Sequence, residues 1–166
     1  MPRILIVEDK DSLRTMLEEM LKVEGHEVAS IGSGSGAVEK LRGGERFDLV
    51  LTDWRLPGAD GLAVLDAAAG LDPTLPVLVM TAYGSIQTAV EAMKHGAEDF
   101  ITKPVDPDLL RLLVARALER RARSRESLLF AEAQSRAMPP IGSKHPTSTS
   151  RMITVTVMAI ANGRWR

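Results

Sequence analysis

Five short runs of strand character, four of them stopping at a polar residue and each followed by a stretch of helical periodicity, constrain this chain more than any other feature. They are RILIV before Glu8 and Asp9, EVASI at 27–31, FDLVLT before Asp53, PVLVM before Thr81, and DFIT before Lys103. The apolar runs among them lack the alternation of a half-exposed strand, so they predict strands buried on both faces of a parallel sheet. Leu13, Met16, Leu17, Met20 and Leu21 recur at i, i+3, i+4, i+7 and i+8, which predicts a core-facing helix capped by Asp11 or Ser12 and ended by Gly25. Ala37, Val38 and Leu41 predict a second helix, and Leu62, Val64, Leu65 and Ala68 a third. Ile86, Ala89, Val90 and Met93, capped by Ser85 and closed by Gly96, predict a fourth. A fifth begins near Asp106 or Pro107 and carries Leu109, Leu110, Leu113, Val114, Ala117 and Leu118. Parallel crossovers need a helix and have one hand, so the alternation implies a doubly wound α/β domain with a five-stranded parallel sheet. The run GSGSG at 32–36 lacks the GxGxxG spacing of a phosphate cradle and is read as a flexible loop.

Open α/β sheets bind ligands at the carboxyl ends of their strands. Glu8, Asp9, Asp53, Thr81 and Lys103 all stand at such ends, and Pro57, Gly58 and Gly61 turn the chain away just after Asp53. Taken singly, each has an ordinary reading: Asp53 a turn cap, Glu8 and Asp9 a solvated pair, Thr81 a strand former, Lys103 a surface lysine. Taken together they put three carboxylates in one place, and like charges that close require a cation. An oxygen-only donor set selects a hard ion such as Mg2+. A carboxylate such as Asp53 can then act as a nucleophile toward phosphorus and form an acyl phosphate, with the Lys103 ammonium and Thr81 hydroxyl bonding the phosphoryl oxygens.

Composition narrows the setting. The chain has no cysteine, which excludes disulfides and thiolate metal sites. Its apolar runs are too short for a signal peptide or a membrane span, so a soluble, cytoplasmic protein with no membrane partner is expected. The net charge of −1 hides an asymmetry. Residues 1–119 hold 12 Lys+Arg against 20 Asp+Glu, a net of −8, while residues 120–166 hold 9 against 2, a net of +7.

The motifs EDK at 8–10, LTDWRLPGADG around Asp53, VMTAYG around Thr81 and DFITKPV around Lys103 resemble, in order and spacing, the response-regulator receiver domain of two-component signalling. The resemblance covers residues 1 to about 120 and implies a flavodoxin-like (βα)5 receiver. It implies that Asp53 accepts a phosphoryl group from a partner histidine kinase. Glu8, Asp9, Asp53 and the backbone carbonyl of Arg55 would hold Mg2+, Thr81 and Lys103 would contact the phosphoryl group, and the Lys103–Pro104 peptide would be cis. Thr81 and Phe100 match the family's switch pair, which acts on the face made by the fourth helix, fifth strand and fifth helix and prepares it for partner binding or homodimerisation. Arg55 and Tyr83, two residues after Asp53 and Thr81, match positions that tune dephosphorylation. Glu8 departs from the frequent pair of aspartates, and the longer acid still reaches an ion directly or through water. No turnover activity beyond the receiver's own phosphorylation and dephosphorylation is expected.

The wording LPGADGLAVL and ALERR is most similar to receivers that precede the ATPase of sigma-54-dependent activators. No GxxxxGK[ST] loop follows, so a missing or truncated output region is expected, with residues 1–121 as the receiver and 122–166 as a helical extension and tail. PPIGSKHPTSTSR, after Met138, reads as disordered and ITVTVMAI as a lone strand. Two other functions compete. One is a DNA-binding regulator acting through the basic tail, with nucleic-acid contact not expected of the receiver itself. The other is an aspartyl-phosphate phosphatase or phosphotransferase, which needs Asp-x-Asp where this chain has Asp53 and Arg55.

Overall fold

The computed structural model of the protein describes residues 1–82 and 86–137. The readings made for Tyr83, for Ser85 as a cap and for residues 138–166 lie outside the described residues. The strands are β1 (Arg3–Val7), β2 (Glu27–Ile31), β3 (Leu49–Asp53), β4 (Val77–Ala82) and β5 (Asp99–Lys103). They alternate with α1 (Asp11–Val23), α2 (Gly34–Arg42), α3 (Gly61–Leu71), α4 (Ile86–Lys94) and α5 (Pro107–Ala137). All strand pairs are parallel and the order is β2-β1-β3-β4-β5, the doubly wound arrangement the alternation predicts.

Side chains on a strand point alternately to opposite faces, and here both sets are apolar. Leu5, Val7, Val50, Val77 and Val79 pack on one face with Ala37 and Leu41 of α2 and Val64, Leu65 and Ala68 of α3. Ile4, Ile6, Leu49, Leu51, Leu78 and Met80 pack on the other with Leu17 and Leu21 of α1 and Leu110, Leu113 and Val114 of α5. Each fully buried aliphatic side chain contributes roughly 1.5–3 kcal/mol, so the central strands are fixed in register by both faces at once. That rigidity holds the strand ends in place.

Local details depart from the sequence expectations in several places, among them the exposure of Met16 on the stripe of α1 and of Leu109 on that of α5. The cap of α1 is neither Asp11 nor Ser12: Lys10 occupies the cap position without a side-chain bond, and Asp11 is the first helical residue. GSGSG is not a flexible loop. Ser33 caps α2 by accepting a hydrogen bond from the Gly36 amide, and Gly34, Ser35 and Gly36 form the first turn. A Cβ on Gly34 would lie 1.8 Å from the Ala59 carbonyl oxygen, so glycine there allows the helix to pass against the β3–α3 loop. The apolar stripe of α4 is not a core stripe either. Ala89 and Ala92 are buried, whereas Ile86, Val90 and Met93 are exposed.

α5 continues the stripe of Leu110, Leu113, Val114 and Ala117 to Arg121, the last buried residue of the helix. From Ala122 to Ala137 every residue is exposed, including Leu128, Leu129 and Phe130. The compact unit that carries the sheet runs from Met1 to Glu132. Among the described residues no helix is long and apolar enough to cross a membrane.

Candidate functional site

The strand order reverses direction between β1 and β3, because the chain goes first to β2 on one side and then to β3 on the other. The crevice that such a reversal opens is where doubly wound sheets hold ligands. Parallel register sets the height of each functional residue above it. Val7 pairs with Thr52, so Glu8 and Asp53, each one residue further, stand level at the crevice. Asp53 pairs with Met80, placing Thr81 one residue higher, and Ala82 pairs with Lys103, one residue higher again. At about 3.3 Å per residue the long lysine stem has to reach back toward the acids, and it does.

Glu8 is fully buried, Asp53 is 7% exposed and Asp9 is open to solvent. A ligand oxygen from each of the three lies within 4.8 Å of the other two. The Lys103 ammonium donates to Glu8 Oε2 at 2.7 Å and to Asp53 Oδ2 at 2.7 Å. Burial alone would lower the lysine pKa. The bonds and charges of Asp53 and Glu8 outweigh it and hold the group above the usual lysine range, fully protonated at neutral pH. The second oxygens are bonded to backbone: Asp53 Oδ1 accepts from the Arg55 amide at 3.2 Å and Glu8 Oε1 from the Lys10 amide at 3.0 Å. The Lys103–Pro104 peptide is cis.

These groups open into a cleft of about 420 Å³, lined also by Trp54, Arg55, Thr81, Ala82 and Thr88. Buried Thr81 lines a second hollow of about 470 Å³ as well, an apolar groove between α4 and β5 formed by Ile86, Ala89, Val90, Met93 and Phe100. Phe100 is 37% exposed, with its ring on the groove side of β5. Thus Glu8, Asp9, Asp53, Thr81 and Lys103 meet at one edge and Arg55 borders it, while Phe100 stands apart in the groove behind Thr81 and Tyr83 lies outside the described residues.

Three residues went unread in the sequence, two of them near this edge. Thr88 sits on the side of α4 opposite the apolar stripe, which a helical wheel begun at Ile86 would have shown. Arg14 donates from Nη1 to the Glu8 carbonyl at 2.8 Å. Its signal was a cation in the first turns of a helix, against the preference of the helix dipole for acids. Arg121 is buried between Asp48 and Asp72 at the opposite edge of the sheet, and its signal was a position four residues beyond Ala117 on the apolar stripe.

The donor set consists of three carboxylates with no histidine or cysteine among them, which fits a hard divalent cation. With the Lys103 ammonium already inside the cluster, the edge can bind a group rich in anionic oxygens and present Asp53 to it.

Comparisons with known proteins agree with this geometry. Residues 4–115 match the family model described as the response regulator receiver domain. The chain is 46% identical over 115 residues to the transcriptional regulatory protein ZraR of Escherichia coli (strain K12), covering 69% of this chain and 26% of that protein. It is 37% identical over 131 residues to the regulatory protein LuxO of Vibrio vulnificus, covering 78% and 28%. The crystal structure of NtrX from Brucella abortus superposes with a TM-score of 0.72 at 37% identity, covering 78% of this chain and 29% of that one. The chain therefore spans about a quarter of the length of the curated relatives it matches. With the parallel sheet, the acids at its switch point and a family match across most of the chain all in agreement, this protein belongs to the response regulator receiver domain family of two-component systems.

Proposed function

We propose that Asp53 is the phosphoacceptor of this receiver and that the cleft around it is a Mg2+-dependent phosphoryl-transfer site fed by a histidine kinase in the cytoplasm. Receivers of this family interact with histidine kinases, bind Mg2+ at an acidic pocket and switch on phosphorylation. The observation that carries the assignment here is the Lys103 ammonium held 2.7 Å from the Asp53 carboxylate inside a cluster of three acids. An Asp53 oxygen attacks the phosphorus of a phosphohistidine, the P–N bond breaks, and the imidazole leaves with its electron pair and takes a proton. Lys103 exchanges a carboxylate contact for a phosphoryl oxygen, and the Thr81 hydroxyl donates to another. Glu8, Asp9, Asp53 and the Arg55 carbonyl would hold Mg2+, which when bound supplies charge neutralisation to the phosphoryl oxygens.

Thr81 lines both the cleft and the groove that holds Phe100, so a shift of Thr81 toward a phosphoryl group vacates space into which the ring can turn. That is the route by which phosphorylation would reshape the face of α4, β5 and α5 for a partner or a second copy, a shift in the population of two packings. Arg55, at the rim of the cleft, would slow water attack on the acyl phosphate together with Tyr83. We assign residues 1–121 to the receiver and 122–166 to a helical extension and tail.

Incubation with Mg2+ and acetyl phosphate followed by intact-mass measurement tests the assignment. A phosphate-sized gain is expected, absent in EDTA and absent in Asp53→Asn. No gain in the unaltered protein overturns it. Salt-dependent binding of DNA by residues 120–166 would instead support the reading of the basic tail as a nucleic-acid contact.

A further inference from the structure

The loop that carries the two β1 acids is gripped from below, and the grip comes from residues that touch none of the reacting groups. The Glu8 amide donates to the Ile31 carbonyl at 3.1 Å, tying the loop to the end of β2. The Glu8 carbonyl accepts from Arg14 Nη1 at 2.8 Å, and Arg14 Nη2 is itself bonded to Asp11. Gly32, the next residue after Ile31, makes this possible. A Cβ built on it would lie 3.1 Å from Arg14 Nη1 and 4.0 Å from the Glu8 carbonyl oxygen, so a side chain there would shift the guanidinium by a few tenths of an ångström. The backbone of Gly32 lies outside the left-handed region, so its conformation does not by itself require glycine. The space does.

We infer that Arg14, seated through Gly32, is a positioning residue for the cation site: by fixing the Glu8 peptide it sets where Glu8 and Asp9 present their carboxylates. This rests on the reading of the cleft as a Mg2+ site. Two effects of Arg14 oppose each other. Its positive charge repels a cation, so charge alone predicts that neutralising it tightens Mg2+ binding. Its hydrogen bond orders the loop, so positioning predicts that removing it weakens binding. Partners that orient metal ligands in this way typically contribute 10–100-fold in affinity, and a single partly exposed cation in water contributes less, so positioning decides the sign.

The test is thermal melting of the full chain across a MgCl2 series, in which the melting temperature in EDTA reports folding and its rise with Mg2+ reports affinity. Arg14→Ala is expected to raise the Mg2+ dissociation constant about tenfold. Arg14→Lys, which keeps a donor, recovers part of the loss, and Gly32→Ala shifts it the same way by less. In acetyl phosphate labelling, the Mg2+ concentration for half-maximal rate rises in Arg14→Ala while the rate at saturating Mg2+ stays close to that of the unaltered protein. A dissociation constant in Arg14→Ala that is unchanged or smaller overturns the inference, as does a lowered rate at saturation with no shift in the Mg2+ requirement. If the unaltered protein shows no rise with Mg2+, the reading of the cleft fails first.

Discussion

Replacing Arg121 separates two ways in which a buried charge can hold a helix. The side chain is 5% exposed, with Nη2 3.1 Å from Asp72 and Nε 3.7 Å from Asp48, yet Nε and Nη1 are buried without a hydrogen-bond partner. Burial, and then the neighbouring charge of Arg125, push its pKa down against the pull of Asp72 and Asp48, so the position is costly for a cation. Both carboxylates are near 30% exposed, so each ion pair contributes at most about 1 kcal/mol. Beyond the Cβ that alanine keeps, two stem methylenes contribute about 0.8 kcal/mol each, or ~1.6 kcal/mol. Neither acid is orphaned by the change: Asp72 keeps the Thr74 amide and hydroxyl, and Asp48 keeps the Arg3 amide and Arg125. Arg121→Ala therefore loses stem and pairs and costs about 2–4 kcal/mol, whereas Arg121→Met restores the stem, removes two unsatisfied donors and costs about 0–1 kcal/mol. Urea unfolding with the slope held constant reads both values. A methionine variant as unstable as the alanine one would refute the reasoning and show that the ion pairs, not the stem, anchor the last buried turn of α5.

Three further outcomes follow from the same structure. Asp9 has no cationic partner among the described residues, because Lys103 serves Glu8 and Asp53, so Asp9→Asn should relieve repulsion and raise the melting temperature in EDTA by about 2–5 °C. The same variant should lose most of the rise with Mg2+; a melting temperature that falls in EDTA would contradict the charge argument. Burial works to raise the Asp72 pKa, but the Thr74 bonds and the Arg121 charge outweigh it and hold it below the usual range. A depressed folded pKa gives stability that is present above the unfolded value near 4 and lost as pH falls through the folded one. Asp72→Asn should thus cost about 1 kcal/mol at pH 7 and progressively less as pH falls through the folded value, a convergence that paired urea titrations would reveal or deny. Changing Arg55 and Tyr83 together to Asn and Ser should shorten the lifetime of the acyl phosphate several-fold in the mass assay, and an unchanged lifetime would remove both from any shielding role.

The sheet and its reactive edge were legible because both rest on signals confined to a few neighbouring residues. A strand buried on both faces must be largely apolar, as Leu49, Val50 and Leu51 are, and polar residues gather where the strand emerges. Asp53, Thr81 and Lys103 mark those exits, so the register of the sheet and the position of the site are one piece of information. The failures have the opposite character. Glycine disfavours helix by about 1 kcal/mol, which made GSGSG look like a loop. The contact that overrides it, Gly34 against Ala59, joins segments 25 residues apart in sequence. The stripe of α4 has the period of a core helix, but periodicity reports only that a helix has two faces. This one packs through the small Ala89 and Ala92 and leaves Ile86, Val90 and Met93 lining a groove.

The supporting arginines were missed for a related reason. Glu8, Asp9 and Asp53 are conspicuous as acids because they interrupt or end apolar runs. Arg14 and Arg121 sit among other charged residues on helices, and what sets them apart is a bond to a backbone carbonyl or to acids 49 and 73 residues earlier in the chain. A carboxylate cluster can be recognised by its composition, since three like charges in one place demand compensation. Its geometry cannot, since the position of the Glu8 peptide depends on the Ile31 carbonyl, on space left at Gly32 and on one guanidinium. The chemistry of such an edge is therefore open to inference from residue types, while its affinity for a cation depends on residues of ordinary type that the fold alone brings beneath it.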